Sequence, residues 1–191
     1  MSDARARLLE LLRTHSFARR RVVLASGRES DFFIDCKQTV LLAEGHALAG
    51  AAMLDVALGL PRSPVAVAGV ELGGCPLASA VALLSFQRGL PSPFGVGWNA
   101  VYVRKQAKDH GSQRLLEGDV GLTEGAPVVV VEDVVTTGGS TLRAVERLRS
   151  RGLDVVGVVA LVDRLEGGAD AIRAEGLPFE AVFTRHDFLP A

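Results

Sequence analysis

The chain has 191 residues, 48% hydrophobic and 23% charged, which suits one soluble domain that needs no disulfide or metal to hold its core. Its 21 Lys and Arg against 22 Asp and Glu give a formal net charge of −1; general nucleic-acid and membrane-surface binders usually carry a basic excess, so neither partner is expected. No apolar stretch reaches the ~18 residues of a membrane span, and the charged start Met1–Arg5 lacks a signal-peptide core, so a cytoplasmic protein is expected.

Ser2 or Asp3 is placed to cap a first helix with an apolar stripe of Leu8, Leu9, Leu11 and Leu12. Val22–Leu24 and Phe32–Asp35 read as short strands around a turn at Ser26–Asp31. Cys36 and Cys75 stand far apart with no CxxC spacing, so both read as small buried apolar residues. Gly45–Leu58, rich in Ala and Leu, reads as a helix packed closely on a sheet. From Val65 a βα alternation begins: strand Val65–Ala68, a glycine turn over Gly69–Pro76, helix Pro76–Phe86, strand Val96–Val103. After a long polar segment, Arg104–Gly125, come the β-branched strand Pro127–Val131, a loop over Val134–Thr141 and helix Leu142–Arg151. Strand Val155–Val162, a weaker helix Ala169–Glu175 and strand Phe179–Thr184 close the chain. The pattern predicts an α/β fold, a mostly parallel twisted sheet flanked by helices, with ligands at the carboxyl ends of the strands. The whole chain, 1–191, reads as one domain, its first ~40 residues forming a small hood over that end.

The most informative stretch is Val128–Thr141, VVVVEDVVTTGGST. A buried strand runs into two adjacent acids, Glu132 and Asp133, and then into glycines, hydroxyls and a helix start. Glycines let backbone N–H groups approach an anion, and a helix N-terminus adds unpaired donors and a positive dipole end. The acids would repel a phosphate, so they suit sugar hydroxyls or a magnesium-bound ligand. Together these features point to a phosphorylated ribose. No GK[ST] follows the glycines and no GxGxxG is present, which excludes a Walker A loop and a dinucleotide fingerprint.

This segment resembles the phosphoribosyl-pyrophosphate (PRPP) signature of the type I phosphoribosyltransferases, and that fold is what the resemblance implies. Arg104-Lys105-Gln106-Ala107-Lys108-Asp109-His110-Gly111 is similar to the mobile catalytic loop of the orotate members, Arg-Lys-x-x-Lys-x-His-Gly. Four Lys or Arg against one Asp between Arg104 and Arg114 make the stretch net +3, and a departing pyrophosphate needs concentrated positive charge. The N-terminal stretch Ser26–Asp35 resembles the orotate family's base-pocket segment, Arg164 after a buried strand its carboxylate-binding arginine, and Gly69–Pro76 its pyrophosphate loop.

The resemblance implies transfer of the 5-phosphoribosyl group from PRPP to orotate, with Mg²⁺ held through PRPP and water rather than directly by the protein. It implies catalytic roles for Lys105, Lys108, His110, Glu132 and Asp133. PRPP would be bound by Arg104, Leu72, Gly73, Glu132, Asp133, Val134, Val135, Thr136, Thr137, Gly138, Gly139 and Ser140, with Thr141 closing the phosphate loop. Orotate would meet Phe33, Ile34, Thr136 and Arg164, with Phe32, Phe33 and Ile34 as stacking surface. The 104–125 segment would form the mobile loop, its 104–111 part reaching the partner's site in a homodimer. Ala25 and Gly73 stand where many relatives carry lysine, and Glu132 where many carry Asp. A second reading keeps the PRPP signature but takes another base, such as a purine; a third is a PRPP-sensing regulator.

Overall fold

A computed structural model describes residues 3–23, 29–106 and 114–189. Helix α1, Asp3–His15, buries the expected leucine stripe. A hairpin follows, in which β1 (Phe17–Val23) runs antiparallel to β2 (Glu29–Ile34). Its first arm starts earlier than the apolar triplet Val22–Leu24 suggested, because Phe17 and Ala18 pair with Ile34 and Phe33. Ala25 and the turn residues Ser26–Arg28 lie outside the described residues. A one-turn helix α2 (Lys37–Val40), too short to show a helical period, leads to α3 (Ala43–Leu58).

The alternation then proceeds through β3 (Ala66–Val70) and α4 (Gly74–Gln87). The strand expected over Val96–Val103 is broken. Pro91–Ser92 (β4) and Gly95–Val96 (β5) form a small hairpin, and β6 covers only Asn99–Val103. Gly97, with φ +86°, turns the chain between them, and Trp98 is buried with its N–H donating to Ser85 Oγ at 2.7 Å. Leu116–Glu117 (β7) returns antiparallel to β6. Strand β8 runs over Pro127–Val135, α5 over Gly139–Ser150 and β9 over Asp154–Asp163. Helix α6 (Gly168–Ala174), β10 (Phe179–Thr184) and a short α7 (Arg185–Phe188) complete the chain. Strand β8 thus continues four residues past the apolar run, so Glu132 and Asp133 stand on the strand itself, and α5 begins three residues before Leu142.

The six-stranded sheet has the order β10-β9-β8-β3-β6-β7, parallel except for β7. Side-chain alternation sorts it into two cores. Val129 and Val131 face the layer holding Leu8, Met53, Leu54 and Leu77, while Val128 and Val130 face Leu148 and Ile172. From β3 the chain winds outward to β6 and β7, then crosses back to β8 and winds the other way. The switch point of the doubly wound sheet therefore lies between β3 and β8, where such sheets bind ligands.

Candidate active site

Two turns flank this switch point: 71–74 after β3 and 136–138 after β8. Their backbones lie close to β8. A β-carbon on Gly73 would fall 2.0 Å from Asp133 Oδ2, and one on Gly74 would fall 2.4 Å from the Val131 carbonyl oxygen. Only glycine lets the first turn pack against the acidic end of the strand in this way. Leu72 projects outward and is well exposed, and the Glu71–Leu72 peptide is cis.

The second turn meets its expected chemistry in part. Gly138, at φ +81°, starts α5, which has no side-chain cap, so the first-turn N–H groups of Gly139 and Ser140 remain available to an anion. Thr136 and Ser140 are half-buried and Thr137 is exposed. Thr141 departs from the expectation: it is fully buried and its hydroxyl donates to Glu132 Oε2 at 3.3 Å. It supports the acid instead of facing a phosphate. Val134 and Val135 end the strand, paired with Val162 and Asp163, and the Val135 carbonyl accepts the Arg164 N–H at 3.0 Å.

Glu132 is 5% exposed. Burial, and then the neighbouring Asp133 charge, push its carboxyl well above the usual range, while Thr141 and Lys105 oppose the shift. Burial likewise raises Asp133, against the field of Lys37 and an N–H bond from Val134. Lys37 follows the hood hairpin and pairs with Asp35 Oδ1 at 2.5 Å. Nothing in the local sequence singles it out. Cys36 and Cys75 are both buried. Burial, with the fields of Glu71 and Glu132, pushes the Cys75 thiol up to about 11, so it is no nucleophile at neutral pH.

The stem of the basic segment is tied to both turns' supports. The Lys105 N–H donates to Glu71 Oε2 at 2.6 Å. From α5, Arg147 donates to the Arg104 carbonyl and, at 2.9 Å, to the Lys105 carbonyl. Arg104 Nη1 lies 3.7 Å from Glu117 Oε1. These links place Lys105 close enough to Glu132 of the same chain for its charge to favour the ionised acid. Lys108, His110 and Gly111 lie outside the described residues. A cavity of about 740 Å³ opens beside Arg147, lined also by Arg114, Asp119 and Arg151; none of the expected ligand residues lines it.

The hood meets the sheet at the carboxyl ends of β9 and β10. Arg164 Nη2 donates to the Phe32 carbonyl at 2.9 Å, and Arg185 Nη2 donates to Asp31 Oδ1 at 2.6 Å. Along β2 the side chains alternate: Phe32 and Ile34 belong to the core, and Phe33 alone of the three is half-exposed. The apolar trio thus offers Phe33 and backbone groups, not three stacking faces. Arg164 is 9% exposed, more deeply set than a surface ion-pair partner.

A family model described as "Phosphoribosyl transferase domain" matches residues 41–173. An orotate phosphoribosyltransferase of Sorangium cellulosum is 67% identical over 189 residues, 99% of this chain and 95% of that protein. The crystal structure of the Mycobacterium tuberculosis H37Rv orotate phosphoribosyltransferase in complex with Fe(III) dicitrate superposes with a TM-score of 0.78 at 40% identity, covering 97% of this chain and 99% of the other. A structure of the M. tuberculosis enzyme in complex with PRPP gives 0.75 at 36% identity, covering 97% and 98%.

Proposed function

The chain belongs to the phosphoribosyl transferase domain family and, within it, to the orotate phosphoribosyltransferases, and we propose that the two turns at the β3–β8 switch point and the acids between them carry its reaction. The enzyme transfers the 5-phosphoribosyl group of PRPP to orotate in pyrimidine biosynthesis. The bond from C1′ to the pyrophosphate oxygen breaks, its electron pair leaving with pyrophosphate, and a bond from C1′ to a ring nitrogen of orotate forms with loss of that nitrogen's proton. The observation that carries this reading is the packing of Asp133 against Gly73. It sets the ribose-binding acids directly beside the turn that would hold the pyrophosphate.

Thr136, Thr137 and the N–H groups of Gly138, Gly139 and Ser140 hold the 5′-phosphate. Glu132 and Asp133 take the ribose 2′- and 3′-hydroxyls and stabilise positive charge that develops at C1′. The backbone of Leu72 and Gly73 faces the diphosphate. Phe33, the Ile34 backbone, Thr136 and Arg164 receive orotate, with the guanidinium fork matching its carboxylate. The hydrogen bond from the Lys105 N–H to Glu71, and those from Arg147 to the Arg104 and Lys105 carbonyls, support cis action for Lys105. Lys108 and His110 are the loop groups assigned to the partner's site in a homodimer. Leu83 and Phe86 on α4, with Val96 beside them on the β4–β5 hairpin, form an exposed apolar face that suits such a partner.

Mg²⁺ fits as a substrate-borne ion. Glu132 and Asp133 are taken up by the ribose hydroxyls, so PRPP oxygens and water would supply the ion's octahedral shell. When bound there it neutralises pyrophosphate charge. Among the described residues no helix is long and apolar enough to cross a membrane.

A spectrophotometric assay with orotate, PRPP and Mg²⁺ tests the reading, with hypoxanthine, adenine and uracil run as alternative acceptors. Turnover confined to orotate is expected. Turnover of a purine, or PRPP binding without turnover of any base, overturns it.

A further inference from the structure

Between Arg164 and α6 the chain makes an unusual turn. Leu165 has φ +57°, a left-handed conformation that costs a non-glycine residue about 1–2 kcal/mol, and its side chain is exposed. The Leu165 N–H is held by Asp163 Oδ1 at 2.9 Å. The turn folds the next side chain, Glu166, back onto Arg164: Glu166 Oε1 lies 3.0 Å from Arg164 Nη2, and the two side chains are only 10% and 11% exposed. Neither carboxylate oxygen of Glu166 accepts a well-formed hydrogen bond from the described residues. A buried carboxylate with so few donors is costly, and its ion pair is its main compensation.

The partner it holds is the group assigned to the substrate carboxylate. The same Nη2 also donates to the Phe32 carbonyl, and the guanidinium lies 5.5 Å from the Phe32 ring centre. An arginine side chain has several rotatable bonds, and freezing them only on substrate binding would weaken binding. Here the hood fixes the guanidinium from one side and Glu166 fixes it from another, before substrate arrives.

We infer that Glu166 is a positioning residue: it holds the Arg164 guanidinium in the pose that receives the base's carboxylate, and so contributes to choosing a carboxylate-bearing pyrimidine over one that lacks the group. The inference rests on the assignment of Arg164 to orotate. Glu166 acts through Arg164, not on the substrate, so its effect belongs to orotate affinity and not to PRPP affinity or turnover.

The test is a double-mutant cycle of Arg164→Gln and Glu166→Gln, with KM for orotate and for PRPP, kcat, and the orotate-over-uracil preference measured for each variant. Glu166→Gln is expected to raise the orotate KM roughly tenfold, with the PRPP KM and kcat within about twofold. In the Arg164→Gln background it adds nothing further. An unchanged orotate KM in Glu166→Gln, where Arg164→Gln raises it, overturns the inference alone. Additive effects of the two changes also overturn it, since Glu166 would then act independently. An unchanged orotate KM in Arg164→Gln overturns the assignment of Arg164 itself. Because Arg164→Gln strands the Glu166 charge, the Arg164→Gln/Glu166→Gln double variant, which removes both charges, serves as the folding control, read by its melting temperature and PRPP KM.

Discussion

The carboxylate of Asp133 rests against the backbone of Gly73, with no room for a β-carbon between them. A residue larger than glycine at 73 must push the Asp133 side chain out of its place. Because a side-chain carboxylate yields more easily than backbone, the fold should tolerate the change while the ribose site does not. Gly73→Ala is expected to lower kcat/KM for PRPP at least tenfold with a melting temperature within about 2 °C of the parent. Steady-state kinetics beside a thermal melt check it; unaltered kinetics would show that Asp133 needs no such placement.

The surroundings of Glu132 disfavour its charged form and raise its carboxyl, chiefly by burial and then by Asp133. Asp133 is raised as well. A raised carboxyl binds its proton more tightly in the folded state than in the unfolded one. These two groups therefore favour folding at acid pH; that contribution is full below their unfolded values and is lost as pH rises from there up through their raised folded values. Glu132→Gln removes the penalty at neutral pH and should raise stability by about 1 kcal/mol, or roughly 2–4 °C in melting temperature. Activity should fall by two orders of magnitude or more, because the charge that stabilises C1′ is gone. In the parent enzyme, kcat/KM should decline on the acid side at a pH above the ordinary carboxylate range. A pH–rate profile and paired melts measure both effects.

Most of the scaffold could be read from the apolar pattern, because the central strands β3, β8 and β9 are apolar runs buried on both faces, α1 and α5 carry apolar stripes, and α3 and α4 are apolar nearly all round. The acids and the glycine turn were legible for a different reason: their spacing has few structural uses. What escaped the sequence depends on long-range packing. Glu71 and Arg147 meet the stem of the basic segment from elements 34 and 42 residues away from Lys105, and no local pattern marks either. Lys37 reaches the acids only because the hood folds over the sheet. Thr141 looked like one more phosphate hydroxyl, and only burial shows that it serves Glu132. The Val96–Val103 run misled for a local reason, since Gly97 and buried Trp98 interrupt a stretch whose hydrophobicity is continuous.

Gly138 combines φ +81° with a close neighbour, the Gly168 carbonyl oxygen, 3.1 Å from where a β-carbon would stand. Gly138→Ala brings a strained left-handed alanine, at about 1–2 kcal/mol, into the turn assigned to the 5′-phosphate. The melting temperature should drop by roughly 2–8 °C, and the PRPP KM should rise more than the orotate KM. Equal rises in both would place the 5′-phosphate elsewhere.

Subunit mixing separates the two ends of the basic segment. The Lys105 N–H is bound by Glu71 of its own chain, and its charge acts on its own Glu132, whereas Lys108 is assigned to the partner's site. A homodimer combining Lys108→Ala in one subunit with Thr137→Ala in the other pairs an intact phosphate turn with an intact Lys108 at one site. Random 1:1 mixing of two nearly inactive variants should then recover about one quarter of the parent activity, since half the dimers are mixed and each has one complete site. The same mixture made with Lys105→Ala should recover nothing, because no site regains both an intact turn and an intact Lys105. Activity assays after denaturation and co-refolding, or after co-expression with two affinity tags, provide the readout. Recovery with Lys105→Ala would move that lysine to the partner's site, and no recovery with Lys108→Ala would place the whole basic segment in the subunit that carries it.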